Sequence, residues 1–216
     1  MRTKLLLSML VFAVAICSAK NNARADVILT DGSAKENVEI NLPKGWDKKL
    51  KIKSGNIQEV LPADDVDHFV LWHNDSPDKK TLIKRVGVGL YNHKKNEKEL
   101  RSYKGWMAVL SAGEHLSYMI WFNKIILKSN TIKYEMDDKS HFFHKSGEEH
   151  AFMIHINTVK PSSTRDWLKR FLDDDPVLVE KITEKGYFNR KNPYHQGNNY
   201  NPFFFEDIAV DYNPVR

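Results

Sequence analysis

Cysteine is almost missing from this chain: one residue among 216, Cys17, near the N-terminus. The body that follows has no thiol, which excludes a disulfide framework, thiolate catalysis and a zinc–thiolate site there. Long apolar runs are missing too. The longest, Leu5 to Cys17, is 13 residues with Ser8 inside it, short of the roughly 20 that a membrane-spanning helix needs. Neither sign of charge dominates, with 33 Lys and Arg against 28 Asp and Glu. The sequence contains no Gly-x-Ser-x-Gly and no His-Glu-x-x-His, so two common signatures of hydrolytic nucleophiles and zinc proteases are lacking. There is no internal repeat.

What is present starts with the first 25 residues. Arg2 and Lys4 precede the apolar run, a short polar segment follows, and Ala23-Arg24-Ala25 supplies a small-x-small pattern. That is the anatomy of a secretory signal peptide over residues 1–25, with cleavage after Ala19 as a second position. Ile16 stands before Cys17 where a lipoprotein signal wants a small residue, which argues against lipidation. Removing residues 1–25 takes four cations and no acid, lowering the formal net charge from +5 to +1. The remaining chain has no electrostatic reason to seek nucleic acid. The expected address is the periplasm, the outer surface or the medium, with no membrane span after cleavage.

Residues 26–159 read as a β-rich body. Val38, Ile40 and Leu42 alternate with polar residues, as do Leu50 and Ile52, the period of a half-buried strand. Pro62-Ala63-Asp64-Asp65 is a turn signal. In Val66 to Trp72 both faces carry apolar residues, which predicts a central strand. Gly87 and Gly89 predict a bulge or a close backbone approach in the next strand. Asn92 to Lys104 is charged and reads as a loop. Trp106 to Leu127 fits either a helix, through capping-box spacing at Ser111 and Glu114, or a hairpin turning at Ser111-Ala112-Gly113; the hairpin is preferred. His141 to Ile156 reads as a second hairpin around Ser146-Gly147, with Phe143 opposite His150.

Residues 160–216 change character. Ser163 with Asp166 signals a helix start, and Trp167, Leu168, Phe171 and Leu172 form an apolar stripe. Asp175-Pro176 opens a second helix, Gly186 stops it, and Asn201-Pro202 opens a third. The expected fold is therefore α+β: mainly antiparallel β, as a meander, barrel or sandwich, with two or three short C-terminal helices packed on it as one unit.

Ile57 to Trp72, Phe142 to Glu149, Trp167 to Ile182 and the closing Asp211-Tyr212-Asn213 together resemble a group of uncharacterised exported proteins common in Bacteroidetes. The resemblance implies a β-rich envelope or secreted protein with a helical tail. It brings no catalytic residues, and the chain departs from it at Tyr187 to Tyr200.

Candidate sites are few. His141, His144, His150 and His155 are close in sequence, but the strand alternation turns His144 away from both His141 and His150, so they are not one metal site. Asp64, Asp65, Asp67 and His68 are explained by a turn, with Asp67 and His68 on opposite sides of a strand. Asp173-Asp174-Asp175 lacks the glycine and distal glutamate of a calcium loop and reads as helix ending and capping. The aromatic, amide-rich stretch around Tyr187, Tyr194, His195 and Tyr200 has the materials of a ligand-contact surface; a loop packing its rings over the sheet is the preferred reading. No catalytic, cofactor or metal residues are assigned. The leading expectation is an exported, non-catalytic protein that binds or supports something in a Gram-negative envelope, with carbohydrate, peptide or another envelope protein as candidate partners. The alternatives are a secreted hydrolase of glycans or peptides, and a β-barrel carrier of a small ligand.

Overall fold

The computed structural model describes residues 23–128, 131–137, 140–156, 160–184 and 205–215. Among these, twelve strands come first: β1 (Ala23–Leu29), β2 (Ala34–Asn41), β3 (Lys49–Ser54), β4 (Ile57–Pro62), β5 (Val66–His73), β6 (Ser76–Asn92), β7 (Glu97–Ala112), β8 (Leu116–Trp121), β9 (Lys124–Lys128), β10 (Thr131–Glu135), β11 (His141–Lys145) and β12 (His150–Met153). Three helices follow: α1 (Pro161–Phe171), α2 (Pro176–Thr183) and α3 (Phe205–Asp211). The mainly antiparallel β body with short C-terminal helices is as expected.

Ten strands form one sheet in the order β12-β11-β8-β7-β6-β5-β1-β2-β3-β4, while β9 and β10 make a separate hairpin. The sheet also closes on itself. β12 pairs in parallel with β6, from His150 opposite Gly87 to Met153 opposite Leu90, so that β6, β7, β8, β11 and β12 form a five-stranded barrel. The long β6 makes this possible. Its first half pairs with β5 and its second half with β12, while β7 runs along its other edge. The strands β5, β1, β2, β3 and β4 extend from the barrel as an antiparallel wing.

Gly87 and Gly89 sit at this seam. A side chain on either would enter the ring of His150 or of Phe152, and the β6–β7 register slips between them. Both the bulge and the close approach expected there are present. The period-2 pattern then sorts the apolar residues into two cores. Val86, Val88, Met107, Met119, Phe142 and Ala151 point into the barrel. The larger core lies outside it, where Phe69, Ile83, Trp106, Tyr118, Phe143 and Phe152 meet the wing and the helices. Trp167 of α1 stacks on Phe171 at 4.7 Å and donates its indole N–H to the Tyr91 carbonyl at 3.0 Å, fastening the expected apolar stripe to the end of β6.

Four local expectations change. Asn92 to Lys104 is not a loop: β6 and β7 continue as a hairpin arm closed by residues 93–96. Its β7 half is solvated on both faces, so no apolar alternation marks it. The Trp106 hairpin exists, but its turn falls at residues 113–115. The β11–β12 hairpin pairs Phe143 with Phe152, two residues beyond the expected register; an even shift preserves the faces, so His144 still points away from His141 and His150. Finally, β1 runs through Ala23-Arg24-Ala25. Ala23 and Ala25 are fully buried, although the reading of the sequence places them in the leader.

Candidate functional site: the open end of the barrel

The barrel interior is plugged. Eight strands make a barrel just wide enough for side chains to fill, and five leave less room still. Above the plug, one end opens into a cavity of about 420 Å³. Its wall continues the inward-facing columns of each strand: Val88 and Leu90 from β6, Tyr103 and Arg101 from β7, Trp121 from β8, Phe142 from β11 and Met153 from β12. Asn123, Asp137 and Ser140, from the segments flanking the β9–β10 hairpin, complete the rim. The volume lies within the range of small-molecule sites, about 300–1,000 Å³.

Trp121 is held in place by two glycines. Its six-membered ring occupies the space where a side chain on Gly105 would begin, and its Nε1 lies beside Gly45. Gly45 bridges the middle of β7 and the end of β8: its N–H donates to the Phe122 carbonyl at 3.0 Å, and its carbonyl accepts from Trp106 N–H at 2.7 Å. The Tyr103 ring stands at 90° to Trp121 with centroids 6.2 Å apart, and Tyr103 is 52% exposed. The two rings therefore give the cavity a fixed wall and an open one.

The polar rim is organised by its own bonds. Asn123 Nδ2 donates to Asp137 Oδ1 at 3.2 Å. The Asp137 N–H donates to Ser140 Oγ at 3.0 Å, and the Ser140 carbonyl accepts from Trp121 N–H at 2.8 Å. Arg101 Nη1 lies 2.9 Å from Glu99 Oε1. Flat rings, an amide, a carboxylate and a guanidinium thus converge on one cavity. Among the described residues the wall holds no serine–histidine or paired-carboxylate arrangement. A second groove of about 660 Å³ adjoins it, sharing Leu90 and Met153 and running past Lys98, Glu99, His155 and Trp167.

None of the described candidates named from sequence lines this cavity. Tyr187, Tyr194, His195 and Tyr200 lie outside the described residues. His144 points into the far end of the barrel, where its Nε2 pairs with the Glu148 carbonyl at 2.7 Å. Burial, reinforced by Lys84, holds the His144 imidazole below its ordinary value against the opposing pull of that carbonyl. His141 bonds Tyr118 across 2.6 Å on the outer face, and His150 covers Gly87. Asp64 is taken by Arg85 at 3.1 Å. Asp67 and His68 start on opposite sides of β5, yet the Asp67 carboxylate reaches back to His68 Nδ1 at 2.6 Å. Asp175 caps α2 as expected, accepting from Leu178 N–H at 3.0 Å. Among the described residues no three His, Cys, Asp or Glu side chains are grouped to hold a metal ion.

Two further pairings have the look of catalysis without its geometry. His155 Nε2 is 3.1 Å from Ser163 Oγ, but the ring beside His155 is His93, at 5.6 Å, where a triad requires a carboxylate to orient the base. Ser76 and Lys79 have Ser-x-x-Lys spacing, but both lie on β6, and an odd spacing on a strand sends them to opposite faces. The barrel mouth itself escaped the sequence reading. Trp121 and Tyr103 are 18 residues apart on strands whose closure depends on the parallel β6–β12 pair, which no local signal announces. No family model, curated protein or solved structure matches the chain.

Proposed function

We propose that this chain is an exported, non-catalytic binding protein that takes a carbohydrate at the open end of its barrel. The observation that carries this is the convergence of Trp121 and Tyr103 with Asn123, Asp137 and Arg101 on one cavity. A pyranose ring has an apolar C–H face that lies against flat aromatic rings, and hydroxyl groups that both donate and accept; amide, carboxylate and guanidinium groups answer them. The interior plug argues against carriage of a ligand inside the barrel. Among the described residues the cavity wall has no nucleophile–base pair, which argues against hydrolysis.

Calorimetric titration with chito-, cello- and manno-oligosaccharides tests the proposal. Heat is expected with at least one series, with the sugar recovered intact. Tyr103→Ala should abolish it while changing stability by no more than about 0.5 kcal/mol, as for other exposed substitutions. Silence with all three series, binding indifferent to Tyr103, or recovery of cleaved sugar would each overturn it.

One observation supports a second reading. β8 pairs with β7 only from Met107 onward, so among the described residues the outer edge of β7 over residues 97–104 has no strand beside it. A peptide adding a strand along this edge would pass directly over the mouth. Strand addition would show as new amide protection over residues 97–104 without dependence on the Tyr103 ring.

A further inference from the structure

We infer that the export leader is cut after Ala19, and not after Ala25. The inference rests on the export reading above. Its ground is β1. Ala23 and Ala25 are fully buried core residues; they pair with His73 and Leu71 of β5, and Ala25 also pairs with Val38 of β2. Arg24 between them donates from Nη1 to the Asn37 carbonyl at 2.9 Å and lies 3.6 Å from Glu39.

Cleavage after Ala25 would remove three of the seven residues of β1. Two places in the core would be left empty, and Leu71 to His73 would lose their partners on the β1 edge, keeping only those on β6. The new α-ammonium of Asp26 would stand where the chain now runs between β2 and β5, with backbone groups on both sides stripped of their partners. Cleavage after Ala19 costs none of this. Cys17-Ser18-Ala19 has the same small-x-small spacing and directly adjoins the apolar run, whereas Ala23-Arg24-Ala25 is separated from it by Lys20-Asn21-Asn22. The exported chain begins at Lys20, keeps all of β1, carries a formal net charge of +3 and still has no thiol.

The test is to express the full chain with its own leader in a Gram-negative host and to measure intact mass and N-terminal sequence of the product in denatured whole-cell extract. Lys20 as the first residue is expected. Asp26 as the first residue overturns the inference and leaves export standing. An uncut chain beginning at Met1 overturns both, and an acylated Cys17 at the terminus overturns the assigned site. Because cleavage is read by mass on denatured whole-cell extract, folding does not confuse it. In that assay Ala19→Arg should accumulate uncut precursor, while Ala25→Leu should be processed as the natural chain is. The reverse pattern would overturn the assignment.

Discussion

Trp121 stands over Gly105 on the neighbouring strand, its six-membered ring filling the volume where any side chain on residue 105 would start. The indole in the barrel mouth is thus set by the residue with no side chain beside it. Gly105→Ala should force the indole toward the cavity. Overfilling of this kind costs about 1–3 kcal/mol, so the urea midpoint should fall. The same variant should weaken oligosaccharide binding, because the displaced ring narrows the site. A variant of natural stability and natural affinity would show that the contact does not position Trp121.

The barrel seam makes a separate prediction. At Gly89 an added methyl group would enter the Phe152 ring, and these two residues are opposite one another in the parallel β6–β12 pair. Gly89→Ala should therefore loosen that pair before the rest of the sheet. Hydrogen exchange should speed up selectively at Ala151 to Met153, with smaller change in the β3–β4 hairpin at the far end of the wing. Uniform acceleration across all strands would mean that the seam is not a separable element.

The wing and the helices were legible in the sequence because their signals are local. Val38, Ile40, Leu50 and Ile52 alternate on a one-sided sheet, and Asp175-Pro176 states a helix start in two residues. The arm through Leu100 and Tyr103 was not legible, since a strand wet on both faces carries no period-2 hydrophobicity. Nor was closure of the barrel. It depends on Gly87 and Gly89 admitting the rings of His150 and Phe152, a long-range contact for which the two glycines announce a close approach without naming the partner strand. The candidate site sits at that closure, and for this reason the histidine and aspartate clusters drew attention that belonged to Trp121.

Asp175 joins two parts of the tail. Its Oδ1 accepts from the Leu178 N–H at the start of α2, and its Oδ2 accepts from the Asn213 N–H beyond α3 at 2.6 Å. The side chain is buried. Asp175→Ala should remove the cap and leave the Asn213 donor without its partner, lowering stability by about 2–4 kcal/mol. Asp175→Asn keeps one acceptor oxygen for the cap but turns an amide N–H₂ toward the Asn213 donor, so it should fall between the two. Denaturant unfolding orders the three proteins; equal midpoints for the Ala and Asn variants would mean that the Asn213 bond, and not the cap, carries the effect.

His144 makes stability depend on pH with a definite sign. Burial at the far end of the barrel lowers the affinity of its imidazole for a proton, with Lys84 acting in the same direction. In the unfolded chain the same ring titrates near its ordinary value, about 6.5. As pH falls through that value the unfolded state takes up a proton that the folded state refuses, and stability drops until the folded ring titrates too; above about 6.5 the contribution is constant. His93, also held low, chiefly by burial, acts in the same sense, while the Glu206 carboxyl, held high chiefly by partial desolvation, acts in the opposite one at lower pH. The difference between the natural chain and His144→Gln isolates the single group. Between about pH 8 and pH 5.5 the melting temperature of the natural chain should fall further than that of His144→Gln. Parallel falls in the two proteins would place the titrating group elsewhere.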